Sequence, residues 1–166
     1  MNNRITSINS EIVLNVTRML ILLAKFNNQK SVKITLDKIM LYDFYMKYPS
    51  VMVDQDKEEL KIDFSDYYSF YHWKPDRELY HQFLRYLVSK KLISRVISSN
   101  EFCYIISDAG LEVVNSLNSS YAQTLVETAD YIKKNISRLS DSKIESEIIN
   151  KSFKNRRLQI EGKLYG

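Results

Sequence analysis

Glycine occupies only positions 110, 162 and 166 of this 166-residue chain, and proline only positions 49 and 75. Those two residues supply most left-handed turns and most helix breaks, so a chain this poor in both is biased toward helices joined by a few turns. The same scarcity removes a chemistry. Phosphate-cradling loops of the GxxxxGKS/T or GxGxxG type need glycine so that the backbone can approach the phosphate, and neither pattern occurs.

Apolar residues make up 45% of the chain and charged residues 27%, which is the balance of an ordinary globular protein. The length suits one domain with a helical extension. A first helix is predicted from Asn9 or Ser10, either of which can cap it, to about Phe26. Its buried stripe is Ile12, Val16, Met19, Leu20 and Leu23, widened by Val13, Leu22 and Phe26. Thr35 caps a second helix with Leu36, Ile39, Met40, Phe44 and Tyr45 inward, ending before Pro49. A third follows Lys74-Pro75 with Asp76 as cap and Leu79, Tyr80, Phe83, Leu84, Leu87 and Val88 as its apolar face.

Residues 92–111, LISRVISSNEFCYIISDAGL, read as two strands at about 92–97 and 102–106 around the turn Ser98-Ser99-Asn100-Glu101. Ser107 or Asp108 then caps a helix, another runs from about Tyr121 to Ile136, and Ser142 with Glu145 has the spacing of a capping box for a last, basic helix. The fold class is therefore mainly α with a short β-hairpin. Helix, helix, helix, hairpin, helix is the order of a winged-helix domain, here over residues 1–137 with an acidic and aromatic insert at 50–75. A basic C-terminal helix and tail follow at 138–166.

Candidates for catalysis are few. His72, His81 and Cys103 have no paired metal-ligand spacing. Cys103 sits in the apolar run FCYII, where an inert buried thiol is expected, and Glu58-Glu59 belongs to a solvated acidic run. The chain reads as a non-enzyme with no catalytic residue, metal or cofactor. A single cysteine permits no internal disulfide, which points to a reducing cytoplasm. MNNRITSINSEIV does not read as a signal peptide, and the run MLILLA is too short to span a bilayer.

Charge then separates nucleic-acid binding from protein binding. Residues 1–132 carry 15 Lys/Arg against 16 Asp/Glu, whereas 133–166 carry nine against four, so the positive excess lies in the last fifth of the chain. On the third helix Arg77, His81 and Arg85 share the face opposite the apolar stripe, where a recognition helix would meet the major groove. The hairpin argues the other way. From Arg95 to Lys133 there are 37 positions without a cation, and a wing that grips phosphates needs Lys or Arg near its tip. About 25 residues also separate the second and third helices, far more than a helix-turn-helix reader uses.

That separating segment holds Phe64, Tyr67, Tyr68, Phe70, Tyr71 and Trp73 within ten positions. Core packing, a partner interface and base stacking all use such rings. Stacking on bases normally comes with interleaved Lys or Arg, and none lies between Lys61 and Lys74, so the six are the candidate partner-binding residues. The tail, with Lys154, Arg156 and Arg157, could meet phosphates or an acidic protein surface, or be a solvated end.

The successive pieces RMLILLAKF, LDKIMLYDFYMKYPSVM, LRYLVSKKLISR and YIISDAGLEVVNSLNSSYAQTLVETADYI resemble, over roughly residues 8–140, the middle component of bacterial ABC-three-component systems. That group includes the small subunit of Lamassu-type antiphage defence. The resemblance implies a non-catalytic subunit of a hetero-oligomer with an SMC-like ATPase and an effector, commonly a nuclease, that meets DNA through the complex. It carries over no active-site residue. The alternative from the residues alone is a winged-helix DNA-binding transcriptional regulator using Arg77, His81 and Arg85.

Overall fold

In the computed structural model, which describes residues 2–29, 31–53 and 69–164 (side chains from 10 to 154), helix α1 spans Asn2–Phe26. It begins seven residues before the expected cap because nothing in that stretch breaks a helix. Full burial of α1 begins at Asn15, with Ile12 partly buried against the core before it, and Met19 to Leu23 are buried on all sides. Val13, expected in the stripe, is instead 58% exposed, because the neighbouring elements do not cover that turn.

Helix α2, Leu36–Lys47, starts where Thr35 Oγ1 accepts from the Lys38 amide at 3.3 Å, as its sequence predicts. Proline at position 49 ends it and opens the one-turn helix α3, Pro49–Met52. Burial around α2 exceeds one stripe: Tyr42, Asp43 and Met46 join Leu36, Ile39, Phe44 and Tyr45 inside, while Met40 is half-buried. The cause is the last helix, α7 (Asp141–Leu164), which packs on α2 and α3 and places Ile144 and Ile148 in the same core. Lys38 pairs with Asp141, and Lys151 donates to the Met52 carbonyl at 2.7 Å. Burial, with Asp141 nearby, pushes the Tyr42 hydroxyl up to about 12. The predicted capping box is offset: α7 begins at Asp141, the Ile144 amide donates to the Ser140 carbonyl, and Ser142 lies inside the first turn.

Helix α4, Arg77–Ser89, is capped by Asp76, whose carboxylate accepts from the Glu78 and Leu79 amides. Its end is a Schellman motif. Lys91 takes φ 58°, its amide donates to the Val88 carbonyl, and the Leu92 amide reaches the Leu87 carbonyl. This left-handed residue turns the chain directly into the hairpin of β1, Ile93–Ser98, and β2, Glu101–Ile106.

The strands pair from Ile93↔Ile106 to Ser98↔Glu101 around Ser99 and Asn100, at φ 51° and 64°. Two successive left-handed residues define the primed turn whose twist matches a hairpin, so asparagine here does work that glycine usually does. On its other side β2 is fastened to the chain before α2, through a Thr35↔Cys103 bridge and the Tyr104 amide donating to the Ile34 carbonyl at 2.9 Å. Among the described residues β1 therefore remains a free edge.

Ser107 caps α5, Asp108–Ser116, and also donates to the Lys91 carbonyl at 2.7 Å, locking the hairpin exit to the end of α4. Gly110 sits where an added Cβ would lie 2.2 Å from the Leu92 carbonyl oxygen, so glycine is required by close approach. Helix α6, Ser120–Tyr131, runs into a π-helical turn at Ile132–Ile136. Ile132 and Ile136, four residues apart, both face the core there, and Lys133 reaches the Lys25 carbonyl at 2.9 Å, capping the end of α1.

Candidate interaction surface

Of the six aromatic candidates, Phe64, Tyr67 and Tyr68 lie outside the described residues. Of the other three, Phe70 and Tyr71 lie within a 3₁₀ turn at 69–72 and Trp73 follows it, and the three differ from one another. Phe70 is half-buried, edge-on to Tyr71 at 5.7 Å and to Phe153 of α7 at 5.8 Å. Tyr71 is 62% exposed, and Phe153 is also exposed. Trp73 is partly buried and packs against the core. These rings thus join α7 to the chain before α4, and their outward side is the Tyr71 and Phe153 pair. Lys154, next along α7, is exposed; Arg156 and Arg157 lie on the same helix beyond the described side chains.

The basic face of α4 is engaged from within the chain. Arg77 pairs with Asp37 of α2, and Arg85 with Glu78 of its own helix at 3.3 Å. His81 is half-buried. The pairs are exposed, so each holds its arginine weakly, but together they reduce the positive field a phosphate backbone would meet.

Between α4 and the hairpin runs a groove of about 410 Å³ lined by Leu84, Arg85, Val88, Ser89, Arg95 and Tyr104. Alternation along the strands puts Ile93, Arg95 and Ile97 on one face of the hairpin with Ile106, Tyr104 and Phe102 opposite them. At the root of that face the isoleucines are buried; at its tip Ile97 is 70% and Phe102 54% exposed. Arg95 lies over the Phe102 ring at 4.6 Å. Burial pushes the Tyr104 hydroxyl up, opposed by Arg95, Arg77 and Arg85. Sequence reasoning placed Arg85 and Arg95 on separate elements. Strand register and the Schellman turn bring them to one groove.

A buried polar cluster had no counterpart in the sequence reading. Arg18 of α1 donates to Asp43 of α2 through Nε at 2.7 Å and Nη2 at 3.2 Å, and Nη2 also reaches Asn15 Oδ1. Tyr80 of α4 donates to the same carboxylate at 2.6 Å, and Lys47 stands 3.8 Å away. Burial alone would raise the Asp43 carboxyl, but Arg18, with help from Lys47 and Tyr80, holds it below the usual carboxylate range. Burial opposes the Arg18 charge too, yet Asp43 keeps that guanidinium more firmly protonated than usual. The available signal was an opposite-charge pair inside two apolar runs, RMLILL and YDFYM. Arg18, Asp43 and Tyr80 are buried and fasten three helices together, with Lys47 exposed at the edge.

Cys103 is buried and its thiol is pushed up by that burial, against the pull of Lys33. Among the described residues no group of three His, Cys, Asp or Glu is placed to hold a metal ion, and no helix is long and apolar enough to cross a membrane.

Fold and surface together define a mainly helical domain with one antiparallel hairpin, displaying exposed rings and an arginine-flanked groove. The chain belongs to the ABC-three component (ABC-3C) system Middle Component 2 family, whose model matches residues 7–157. No curated protein and no solved structure matches it. The middle component of a multi-component system implies partner subunits, so the chain works among other proteins.

Proposed function

We propose that this chain is a non-catalytic adaptor that bridges an SMC-like ATPase and an effector, most simply a nuclease, in a Lamassu-type antiphage or anti-plasmid complex of the cytoplasm. Membership of the middle-component family carries the reading. It is supported by exposed apolar side chains on two different elements, Tyr71 and Phe153 at α7 and Ile97 and Phe102 on the hairpin tip. Two such patches suit a subunit that must hold two neighbours.

The order α1, bridge at Thr35, α2, α4, hairpin supports a winged-helix-like domain used for protein contact. Its wing tip, Ser-Ser-Asn-Glu, offers phosphates no cation, and Asp37 and Glu78 beside Arg77 and Arg85 reduce the positive field of α4. A duplex-binding regulator is the weaker reading for those reasons. Co-expression with the products of the adjoining genes tests the proposal: a stable complex containing an ATPase and an effector is expected. A chain that elutes alone at micromolar concentration would refute it.

A further inference from the structure

The groove between α4 and the hairpin has an apolar floor and charged flanks, and those two properties together specify an occupant. Leu84, Val88 and the Tyr104 ring form the floor; Arg85 stands on the helix side and Arg95 on the strand side. We infer that this groove is the docking site for a partner-protein segment in which an aliphatic or aromatic side chain is flanked by aspartate or glutamate. The inference rests on the adaptor reading and names one of its contact surfaces.

Charge complementarity fixes the sign of the partner. Arg77, Arg85 and Arg95 are the charged groups that act on the Tyr104 hydroxyl, and all are cations. Two of these arginines have acidic partners within the chain, Asp37 for Arg77 and Glu78 for Arg85; the contact lining the groove, Arg85 to Glu78, is a single 3.3 Å bond between largely exposed groups. An exposed pair of that kind is worth little and exchanges readily for an incoming carboxylate. Arginine also presents a planar fork that takes a carboxylate through two parallel bonds, which fixes orientation as well as charge.

The floor decides between protein and nucleic acid. A sugar-phosphate backbone has no apolar group to bury in a cleft lined by leucine, valine and a tyrosine ring, whereas a peptide side chain does. Continuity extends the surface: Arg95 is stacked on Phe102, beside Ile97, so the exposed tip lies on the same face as the groove. A segment seated between Arg85 and Arg95 would cover that tip as it leaves.

The experiment uses the full chain co-expressed with the products of the adjoining genes. Arg85→Glu/Arg95→Glu is compared with wild type by co-purification and by titration of the isolated partner. Both side chains are solvent-facing, and an unchanged melting temperature checks that the fold is kept. At least a tenfold loss of partner affinity is expected. In parallel, a photoreactive phenylalanine at position 88 should cross-link to a partner peptide with Asp or Glu within a few residues of the attachment point.

Wild-type assembly with no loss in the double variant would overturn the groove proposal and leave the adaptor reading standing. If the wild type forms no complex at all, the adaptor reading fails and takes the groove with it. Cross-linking to a second copy of this chain, or duplex DNA binding at low salt that disappears in the double variant, would also overturn it.

Discussion

Replacing Asp43 by asparagine tests whether the three-helix fastening carries the stability assigned to it. The carboxylate accepts two bonds from Arg18 and one from Tyr80, at 2.7, 3.2 and 2.6 Å, with Lys47 at 3.8 Å. Asparagine keeps the size but removes the charge, leaving the Arg18 guanidinium buried beside a neutral amide. Breaking one side of a buried pair costs about 3–5 kcal/mol. A domain of this size loses about 2–4 °C of melting temperature per kcal/mol. The expected fall is therefore on the order of 6–20 °C, and the underlying loss of about 3–5 kcal/mol is a large share of the roughly 5–15 kcal/mol that holds a domain together. Urea unfolding followed by circular dichroism supplies the free energy. Arg18→Met removes the partner charge, so the double variant Arg18→Met/Asp43→Asn should cost less than the two singles added, by about 1–3 kcal/mol. A loss below about 1 kcal/mol for Asp43→Asn, or additivity within about 0.5 kcal/mol, would refute the reasoning.

Because the folded Asp43 carboxyl lies below its ordinary value, its contribution is complete above about pH 4 and is lost as pH falls through the folded value; the gap between wild type and Asp43→Asn should narrow in acid titrations of stability. Gly110→Ala would drive a methyl group into the Leu92 carbonyl, so a loss of about 1–3 kcal/mol is expected in thermal melts. Lys91→Gly should do the opposite: at φ 58° glycine is free of Cβ strain, and a gain of about 0.5–1 kcal/mol is expected in urea unfolding. Tyr71→Ala should leave the melting temperature nearly unchanged, within about 0.5 kcal/mol, whereas Trp73→Ala lowers it because that ring packs on the core. Equal effects at the two positions would remove the distinction drawn between them.

Local physics made much of the fold legible. Thr35, Asp76 and Ser107 accept amide bonds where their side chains suit a helix start, and Pro49 ends α2, because capping and steric exclusion act over three or four residues. The hairpin and its turn followed from the alternation of apolar residues around Ser99-Asn100. The π-helical turn did not, since Ile132 and Ile136, four residues apart, would share a face in an ordinary α-helix as well and so leave no mark of it in the spacing. The same holds for Val13, whose exposure depends on where neighbouring helices stop. For the candidate surface, the sequence supplied the rings and the arginines but not their grouping: Trp73 turned partly inward while Tyr71 faced solvent.

What the sequence determined by itself was the helical bias, the placement of caps and strands, and the shortage of cations at the hairpin tip, all properties of neighbouring residues. Only the tertiary structure brought Arg18, Asp43 and Tyr80, from three different helices, around one buried carboxylate. It likewise carried Arg85 and Arg95 to either side of a single groove. The physical reason is range: a cap is made within one turn of chain, whereas a salt bridge or a groove exists only where separate elements, each indifferent to the other in sequence, are packed within a few ångströms.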